Sequence, residues 1–470
     1  MTSSLVGSEM CIRDRFYIMS KRRAAFLTLG CKVNQYETDA MEEILEKNGY
    51  DIVSFKETAD VYIINTCSVT NMADRKSRQM IHRAKKNNPD AVIVAAGCYV
   101  QAAEKEMAEK NMADILVGNN KKKDIAQILE EYFAVKAVKE EQQVPLVSEV
   151  IDINHTKEYE DLTIHKVNEH TRAYIKIQDG CNQFCSYCII PYTRGRIRSK
   201  NPEEVIEEVK NLAAQGYKEI VLTGIHLSSY GKDLGDITLL DVIQRIQQIE
   251  DIERIRLGSL EPRIITEQFV KELRACDKVC PHFHLSLQSG CDETLKRMNR
   301  KYTTEEYETA LNVLRTYYEH PALTTDVIAG FVGETEEEFE KTRAYLEKIN
   351  LYEMHIFKYS VREGTRAQKM AGHVPEQVKT ERSDILLAMA KRHKSEFEKW
   401  YVGRKEKVLL EEIIEKNGKK YFQGYTAHYV KVAVELSEND TKLRQNEVIV
   451  VDIQGFIDEN LLYGKVSIEF

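Results

Sequence analysis

The sequence predicts an α/β protein of three parts: a doubly wound parallel sheet, a partial barrel of six strand–helix units, and a small all-β barrel. Three observations lead to this fold class. Short apolar strands alternate with amphipathic helices through most of the chain, which is typical of parallel sheets. After residue 402 the pattern changes to short alternating runs separated by turn signals. The length of 470 residues is sufficient for two or three domains with their own cores.

The composition is that of a globular protein that works inside the cell. Hydrophobic residues make up 43% and charged residues 30% of the chain. The longest apolar run, Ala91–Val100, is too short to cross a bilayer, and no signal leader is recognisable, so we expect a cytoplasmic protein with no membrane partner. Ten cysteines then favour metal ligation or redox chemistry over disulfides. With a net charge of −8, any contact with nucleic acid must come from local patches.

Residues 1–18 are not expected to belong to the fold. They show no apolar periodicity and resemble a translated sequencing adapter, so Met19 is the more natural start and Cys11 has no predicted role. A genuine disordered tail is the alternative, and it would leave the functional argument unchanged.

The first domain is predicted at residues 19–134 as a flavodoxin-like sheet. Its predicted strands are Ala24–Leu29, Val61–Asn65 and Ala91–Ala96, and its predicted helices lie near Tyr36–Lys47, Asp74–Lys86 and Ala102–Lys110. Each strand is followed by a cysteine, namely Cys31, Cys67 and Cys98. Because the carboxyl ends of parallel strands open onto one edge, we expect the three thiols to converge there and to hold an iron–sulfur cluster with one open iron. Ordinary packing of buried cysteines is the alternative.

A second group of cysteines follows the predicted strand Ala173–Ile177. Cys181, Cys185 and Cys188 have the spacing C-x3-C-x2-C. Three thiolates leave one iron of a 4Fe–4S cube open, whereas a structural zinc site needs a fourth ligand, which is not nearby in the sequence. Structural or zinc-binding cysteines remain the alternative. The segment resembles the radical S-adenosylmethionine superfamily, and the aromatic Tyr187 before the last cysteine matches too. The resemblance implies that S-adenosylmethionine fills the open iron and that an electron from the cluster releases a carbon radical.

A charged linker is predicted at residues 135–166 and the open barrel at residues 167–399. The predicted barrel strands are Ala173–Ile177, Glu219–Leu222, Arg254–Leu257, His282–Leu287, Leu323–Ile328 and Glu353–Phe357. Sites in such barrels lie at the carboxyl ends of the strands. The resemblance implies that Gly224 meets the methionine amino group and that Glu261 lies near the ribose. The usual Gly-Gly-Glu string of the superfamily is absent, and glycines at strand ends also serve tight turns.

Two cationic segments are candidate RNA contacts. Arg194, Arg196, Arg198 and Lys200 alternate after the cysteine loop, so an extended segment would project the arginines on one side, toward phosphate or the methionine carboxylate. The helix after Cys67 is predicted to face outward with Arg75, Arg78, His82 and Lys85 and inward with Ala73, Met80, Ile81 and Ala84. A solvated charged face is the alternative for this helix.

The third domain is predicted at residues 400–470. Its predicted strands are Lys407–Leu410, Lys420–Thr426, Val430–Val434, Glu447–Ile453 and Gly464–Glu469, with a turn at Lys416-Asn417-Gly418. It resembles the TRAM module, an RNA-binding barrel. Residues 402–470 hold ten Lys and Arg against twelve Asp and Glu, so binding must use a local face. The candidates are Lys419, Lys420, Tyr421, Tyr425 and His428, and core packing is the alternative for the tyrosines.

The order of the domains and two sequence strings resemble one family. Leu-Gly-Cys31-Lys-Val-Asn-Gln-Tyr-Glu-Thr and Asn-Thr-Cys67-Ser-Val-Thr-Asn are similar to the methylthiotransferases, closest to the branch acting on N6-threonylcarbamoyladenosine in tRNA. The resemblance implies two 4Fe–4S clusters, S-adenosylmethionine, tRNA, and an electron donor such as flavodoxin or ferredoxin, with the sulfur donor open. Branches acting on isopentenyladenosine or on a ribosomal-protein aspartate remain alternatives, as does a noncatalytic metal-containing RNA-binding protein. No cobalamin-binding Asp-x-His-x-x-Gly string occurs in the first domain, and Cys276, Cys280 and Cys291 are expected to be packing residues.

Overall fold

The computed structural model describes residues 21–138, 144–166, 171–436 and 443–467. The predicted leader with Cys11 and the last two residues of the predicted strand Gly464–Glu469 lie outside the described residues. None of the described helices is long and apolar enough to span a membrane. The α/β fold class with its three predicted parts is confirmed.

The first part is a six-stranded parallel sheet in the order β2-β1-β3-β4-β5-β6. Its elements are β1 (Arg23–Thr28), α1 (Lys32–Lys47), β2 (Asp51–Val53), β3 (Val61–Thr66), α2 (Asn71–Asn87), β4 (Val92–Gly97), α3 (Cys98–Glu109), β5 (Ile115–Val117), α4 (Ile125–Val138) and β6 (Val147–Glu149). Helices α1 and α4 pack on one face of the sheet, and α2 and α3 on the other. The central strands β3 and β4 are therefore buried on both faces, which explains their continuous apolar sequences.

The predicted linker 135–166 is partly structured. Helix α4 extends beyond residue 134, and β6 pairs with β5 as the sixth strand of the first sheet. Leu162 and Ile164, near the end of the segment, are fully buried in the core of the barrel. The sequence did not reveal β6, because three residues are too few to show a strand periodicity and the surrounding segment is highly charged.

The second part is an open barrel of six parallel strands. Its elements are β7 (Ala173–Asp179), α5 (Ile190–Thr193), β8 (Arg198–Ser199), α6 (Pro202–Ala214), β9 (Glu219–Gly224), α7 (Leu239–Ile246), β10 (Arg254–Leu257), α8 (Glu267–Arg274), β11 (His282–His284), α9 (Asp292–Arg297), α10 (Thr304–Tyr317), β12 (Ala322–Ala329), α11 (Glu336–Ile349), β13 (Glu353–Lys358) and α12 (Glu376–Lys399). One sheet has the order β10-β9-β7-β8 and the other β11-β12-β13. A β-bridge between Leu260 and Leu285 joins the two sheets near the carboxyl ends of β10 and β11, which form the upper end of the barrel. The short antiparallel β8 ends the barrel beside β7.

Alternation along the barrel strands separates the core from the lumen. On β7, Ala173, Ile175 and Ile177 pack into the largest apolar core beneath the surrounding helices. The residues between them, including Tyr174 and Lys176, therefore face the lumen. The same alternation places polar and charged residues of β9 to β13 on the inner wall.

The third part is a closed antiparallel barrel with one parallel pairing. Its strands are β14 (Lys405–Lys416), β15 (Lys419–Thr426), β16 (Lys431–Glu435), β17 (Val448–Asp458) and β18 (Leu461–Val466). The predicted turn between β14 and β15 is confirmed, since Asn417 and Gly418 have φ of +53° and +74°, as a two-residue type I′ turn requires.

The small barrel closes the lower end of the large one. Arg254 on β10 donates to the Tyr425 carbonyl at 2.9 Å and to the Lys407 carbonyl at 2.6 Å. Arg256, two residues on, donates to the Ala427 carbonyl at 2.9 Å. These buried charge-assisted hydrogen bonds fix the small barrel as the floor of the lumen.

Candidate active site

The predicted cysteine loop leaves the carboxyl end of β7 and folds back on itself. The Cys188 amide donates to the Cys185 carbonyl at 3.0 Å, and the Cys181 amide donates to the Gly195 carbonyl at 3.0 Å. All three thiols are free and half-buried. Burial raises the pKa of Cys181 to about 11 and that of Cys188 to about 12, so bonding to iron would have to displace the thiol protons.

The donor set of this loop fits an iron–sulfur cluster better than zinc. Ligands of one tetrahedral zinc, with Zn–S of about 2.3 Å, lie roughly 3.8 Å apart. In the described part of the chain, neither cysteine trio has all its sulfur atoms within 4.8 Å of one another. Wider spacing suits ligands on three different irons of one cube. The assignment of these cysteines as cluster ligands stays a prediction.

The segment after α9 supports this loop and was missed in the sequence. The Asn299 amide side chain donates to the Phe184 carbonyl at 2.8 Å, at a residue whose φ is +50°. Arg300 donates from Nη1 to the Cys185 sulfur at 3.3 Å, and the Ser186 amide donates to the Met298 carbonyl at 2.9 Å. An asparagine and an arginine after a short helix are a weak signal in a sequence, so only the fold shows that they support the cysteine loop.

Gly224 and Tyr187 are the residues predicted to contact S-adenosylmethionine beside this loop. Gly224 ends β9, and a Cβ there would lie 2.9 Å from the Gln178 Cβ on β7. The two strands approach so closely that only glycine fits. The Tyr187 ring packs edge-on against Phe331, with 6.1 Å between the ring centroids. Contact of Gly224 and Tyr187 with S-adenosylmethionine stays a prediction.

Glu261 is brought beside the cysteine loop. It accepts a hydrogen bond of 3.2 Å from the side chain of Gln183, a residue of that loop. Burial alone would raise the pKa of Glu261, but hydrogen bonds and charge from His226 and Arg263 lower it to about 2. The side chain is thus an ionised acceptor suited to hydroxyl groups, and its predicted place near a ribose remains a prediction.

The three cysteines of the first domain come to one edge of the sheet. Cys31 precedes α1, Cys67 follows β3 and Cys98 opens α3, and β1, β3 and β4 are neighbours. A Cβ on Gly30, which has φ of +109°, would lie 3.0 Å from the Cys67 sulfur. Burial, and then the charge of Cys98, raise the pKa of Cys67 to about 12. The predicted convergence is present, while cluster binding by the three thiols stays a prediction.

Arg194 was predicted as an RNA contact, and the structure contradicts this. Its side chain is fully buried. The guanidinium donates to both oxygens of Glu37 at 2.6 and 3.0 Å, to Asp179 at 3.2 Å and to the amide oxygen of Asn34 at 2.6 Å. Its Nε donates to the Cys98 sulfur at 3.3 Å. A guanidinium held by two carboxylates inside the protein is not free to bind phosphate, and here it joins the barrel to the first domain.

The predicted alternation of the following cations also fails. Helix α5 and Gly195, with φ of +72°, turn the chain, so Arg198 and Lys200 are buried and only Arg196 is exposed. Lys200 pairs with Glu208 at 2.6 Å. The Arg196 guanidinium lies 4.5 Å from the centroid of the Phe184 ring, over the cysteine loop. Arg196 therefore remains a predicted RNA contact.

The other predicted RNA contacts divide between surface and interface. Lys419 and Lys420 are exposed on β15, and Lys419 pairs with Glu435 at 2.7 Å. Tyr425 instead stacks on Tyr429 with 4.8 Å between centroids at the floor of the lumen. Tyr421 is buried in the small barrel, and His428 is half-buried against Tyr401. On α2, Ile81 and Ala84 are buried while Arg75 and His82 are exposed, as predicted. Cys276, Cys280 and Cys291 are buried.

The lumen itself is polar and rich in cations. Arg172 lies 4.9 Å from the Tyr429 ring centroid and pairs with Glu411 at 2.6 Å, and Arg256 pairs with Glu219 at 2.7 Å. Lys32, the first residue of α1, extends from the first domain over the Tyr174 ring at 5.8 Å. The facing wall carries His284, Asp326 and His355, which bring one ligand atom each to within 4.8 Å of one another.

Comparisons with known proteins agree with this arrangement. Residues 23–118 match Uncharacterized protein family UPF0004, and residues 175–346 match the Radical SAM superfamily. The radical S-adenosylmethionine methyltransferase TsrM from Kitasatospora setae has a similar structure, with a TM-score of 0.53, 15% identity, and coverage of 72% of this chain and 75% of that one. At that identity the similarity concerns the fold alone.

Curated relatives match nearly the whole chain. Threonylcarbamoyladenosine tRNA methylthiotransferase MtaB of Bacillus subtilis is 42% identical over 88% of this chain and 91% of its own. The protein of the same name from Thermotoga maritima is 38% identical over 86% and 89%. A tRNA-2-methylthio-N(6)-dimethylallyladenosine synthase of Clostridium botulinum is 36% identical over 82% and 85%. This chain therefore belongs to the MtaB-like family of radical S-adenosylmethionine methylthiotransferases.

Proposed function

We propose that this enzyme acts on N6-threonylcarbamoyladenosine beside the anticodon of tRNA and installs a methylthio group at C2 of the adenine. The observation that carries the proposal is the presence of two cysteine trios, one at the sheet edge of the first domain and one in the barrel loop, in a chain 42% identical to a protein named for this activity. The dimethylallyladenosine synthases, at 36% identity, supply the second candidate substrate.

The family uses S-adenosylmethionine and two 4Fe–4S clusters. In our proposal Cys181, Cys185 and Cys188 hold one cluster, and Cys31, Cys67 and Cys98 hold the other. When bound, the first cluster with S-adenosylmethionine supplies a carbon radical able to take hydrogen from an unreactive C–H bond, and the second offers an open iron for sulfur.

The protein's own residues position the cysteine loop and enclose the space that the substrate base would enter. Arg300 and Asn299 hold the cysteine loop, and Glu261 presents an ionised acceptor beside it. Arg194 links Cys98 of the first-domain trio to the segment that follows the cysteine loop. The small barrel closes the lower end, so that a base can enter only from the open side or the upper mouth.

The substrate lies in a single-stranded loop, whose base can be turned out into a pocket. We assign Arg196, Lys419 and Lys420 to phosphate contacts because their side chains are exposed. We place the reaction in the cytoplasm, where tRNA is modified, with flavodoxin or ferredoxin as the electron donor.

Nucleoside mass spectrometry tests the proposal. tRNA from a strain lacking this gene should retain N6-threonylcarbamoyladenosine and lose its 2-methylthio form, and the gene should restore it. Purified, reconstituted enzyme should modify tRNA only when the threonylcarbamoyl group is present. Methylthiolation of isopentenyladenosine instead would refute the substrate and leave the family assignment intact.

A further inference from the structure

We infer that Lys32 forms a carboxylate-binding subsite in the lower lumen and selects the anionic threonylcarbamoyl group of the substrate. The inference rests on the proposed function. It assigns to one side chain the recognition of the group that distinguishes this substrate from an adenosine with an apolar N6 substituent.

The position of Lys32 is unusual for a residue of the first domain. It directly follows Cys31 and opens α1, yet its ammonium lies 5.8 Å from the centroid of the Tyr174 ring on β7. Tyr174 faces the lumen because its neighbours Ala173 and Ile175 pack into the core under the helices. The first domain therefore places a cation inside the cavity of the second.

Lys32 differs from the other cations of the lumen in its partners. Arg172 is paired with Glu411 at 2.6 Å, Arg256 with Glu219 at 2.7 Å, and Lys176 with Glu37 at 3.0 Å. Among the residues that the structure describes, no carboxylate oxygen lies within 4.0 Å of the Lys32 ammonium. An ammonium among cations in a partly desolvated cavity is costly unless an anion joins it.

Two buried nitrogen atoms nearby also lack hydrogen-bond partners. Arg172 Nη1 and His282 Nδ1 form no hydrogen bond with any described residue. Arg172 immediately precedes β7, two residues before Tyr174. The His282 ring lies 5.1 Å from the Tyr429 ring, over which the Arg172 guanidinium also lies, at 4.9 Å. A buried guanidinium nitrogen without a partner suggests a missing hydrogen-bond acceptor, and the nearby Lys32 ammonium favours an acceptor that is negatively charged.

The chemistry of the substrate supplies such an acceptor. The threonylcarbamoyl group ends in a free carboxylate, and it is attached to N6, on the side of the purine far from the ribose. A base that enters the barrel from an RNA strand held outside carries this substituent deepest into the lumen. The carboxylate then meets Lys32, and charge-assisted hydrogen bonds favour it over a neutral group of the same shape.

The carboxylate of S-adenosylmethionine is a different anion in the same barrel. The cysteine loop that would bind it lies beyond Asp179, at the upper end of β7. Tyr174 is five residues earlier, which corresponds to roughly 16 Å along a strand. Lys32 is thus near the base of the cavity, where the N6 substituent is expected.

A cycle of enzyme and substrate changes tests the inference. Reconstituted wild type, Lys32→Met and Lys32→Arg would be assayed on anticodon stem-loop RNA carrying either N6-threonylcarbamoyladenosine or its carboxamide analogue. Lys210→Met, at an exposed lysine on α6, is the matched control. Iron content and the KM for S-adenosylmethionine would be measured for each protein.

Wild type and Lys210→Met should prefer the acid over the amide by about 10- to 100-fold in kcat/KM, the usual effect of one charged hydrogen bond. Lys32→Met should reduce this ratio to within about threefold, and Lys32→Arg should retain most of it. The inference would be overturned if Lys32→Met kept the full preference for the acid, or if wild type showed no preference for the acid over the amide. It would also be overturned if Lys32→Met raised the KM for S-adenosylmethionine while the preference for the acid stayed intact. The wild-type arm does not depend on how the variants fold. Absence of methylthio product from wild type with either RNA would instead refute the proposed function on which the inference rests.

Discussion

The Nε of Arg194 donates a hydrogen bond of 3.3 Å to the sulfur of Cys98. Arg194 follows the cysteine loop of the barrel, whereas Cys98 belongs to the trio of the first domain. The same guanidinium is held by Glu37 and Asp179, one from each domain. Arg194 therefore links Cys98 to the segment that follows the cysteine loop, and a buried ion-pair network joins the two domains at this point.

Replacing Arg194 with Met should destabilise the protein strongly. Two buried carboxylates would lose a partner, while Lys122 and Lys176 would still pair with Glu37. We expect a loss of roughly 3 kcal/mol in the free energy of unfolding. Urea titration of reconstituted protein measures it. Arg196→Met, at the exposed cation two residues later, should stay within about 0.5 kcal/mol of wild type, and equal losses in both variants would contradict the network's role.

The two trios should bind iron independently. Each trio lies at its own strand ends, and the bracing residues Asn299 and Arg300 belong to the barrel. The triple variant Cys181/Cys185/Cys188→Ala should therefore keep about half of the wild-type iron after anaerobic reconstitution. Iron and sulfide analysis measures this. Near-zero iron, or no loss, would be inconsistent with two separate sites.

Cys67→Ala should separate radical formation from sulfur transfer. Cys67 belongs to the first domain and is not part of the loop that would bind S-adenosylmethionine. The variant should still form 5′-deoxyadenosine slowly under a strong reductant, but it should make no methylthio product. Chromatography of both products from one reaction tests this, and product formation at the wild-type rate would make the cysteines of the first domain structural.

Features that depend on local periodicity and residue spacing could be predicted from the sequence. The strands that end before Cys31, Cys67 and Cys98, the cysteine loop after β7 and the turn at Asn417 and Gly418 all follow from short-range rules. These features specify the fold class and the convergence of the thiols because parallel strands have a common carboxyl edge.

Long-range electrostatics could not be predicted in the same way. Arg194 and Arg196 look alike in the sequence, but the four-residue helix α5 and Gly195 turn one inward and leave the other exposed. Nothing in the sequence around Lys32 indicated that its side chain would extend from the first domain into the cavity of the barrel. Tyr425 was predicted on an RNA-binding surface, but it lies in the interface through which the small barrel contacts the large one. Each outcome depends on a partner more than a hundred residues away in the chain.

Glu398 should make the stability fall as pH rises. Burial raises its pKa to about 7, although Lys394 and the Tyr352 hydroxyl oppose this. A raised carboxyl pKa contributes stability that is complete below the unfolded value, near 4.5, and is lost as pH rises through about 7. Glu398→Gln should therefore be more stable than wild type by roughly 1 to 2 kcal/mol at pH 8 and similar to it near pH 5. Thermal unfolding between pH 5 and pH 8 measures the trend, and the exposed Glu396→Gln should follow wild type.

The exposed lysines of β15 should contribute to tRNA binding through charge. Lys420 has an exposed side chain, and Lys419 can exchange its contact with Glu435 for a phosphate. Lys419→Ala with Lys420→Ala should raise the KM for tRNA and reduce the salt dependence of binding by a slope of about one to two, because each lost phosphate contact releases about one counterion fewer. Binding titrations at several salt concentrations measure the slope. Lys210→Ala with Lys271→Ala changes the net charge equally on exposed barrel helices. If that pair lowered the slope as much, the effect would come from overall charge and β15 would not be the RNA-binding face.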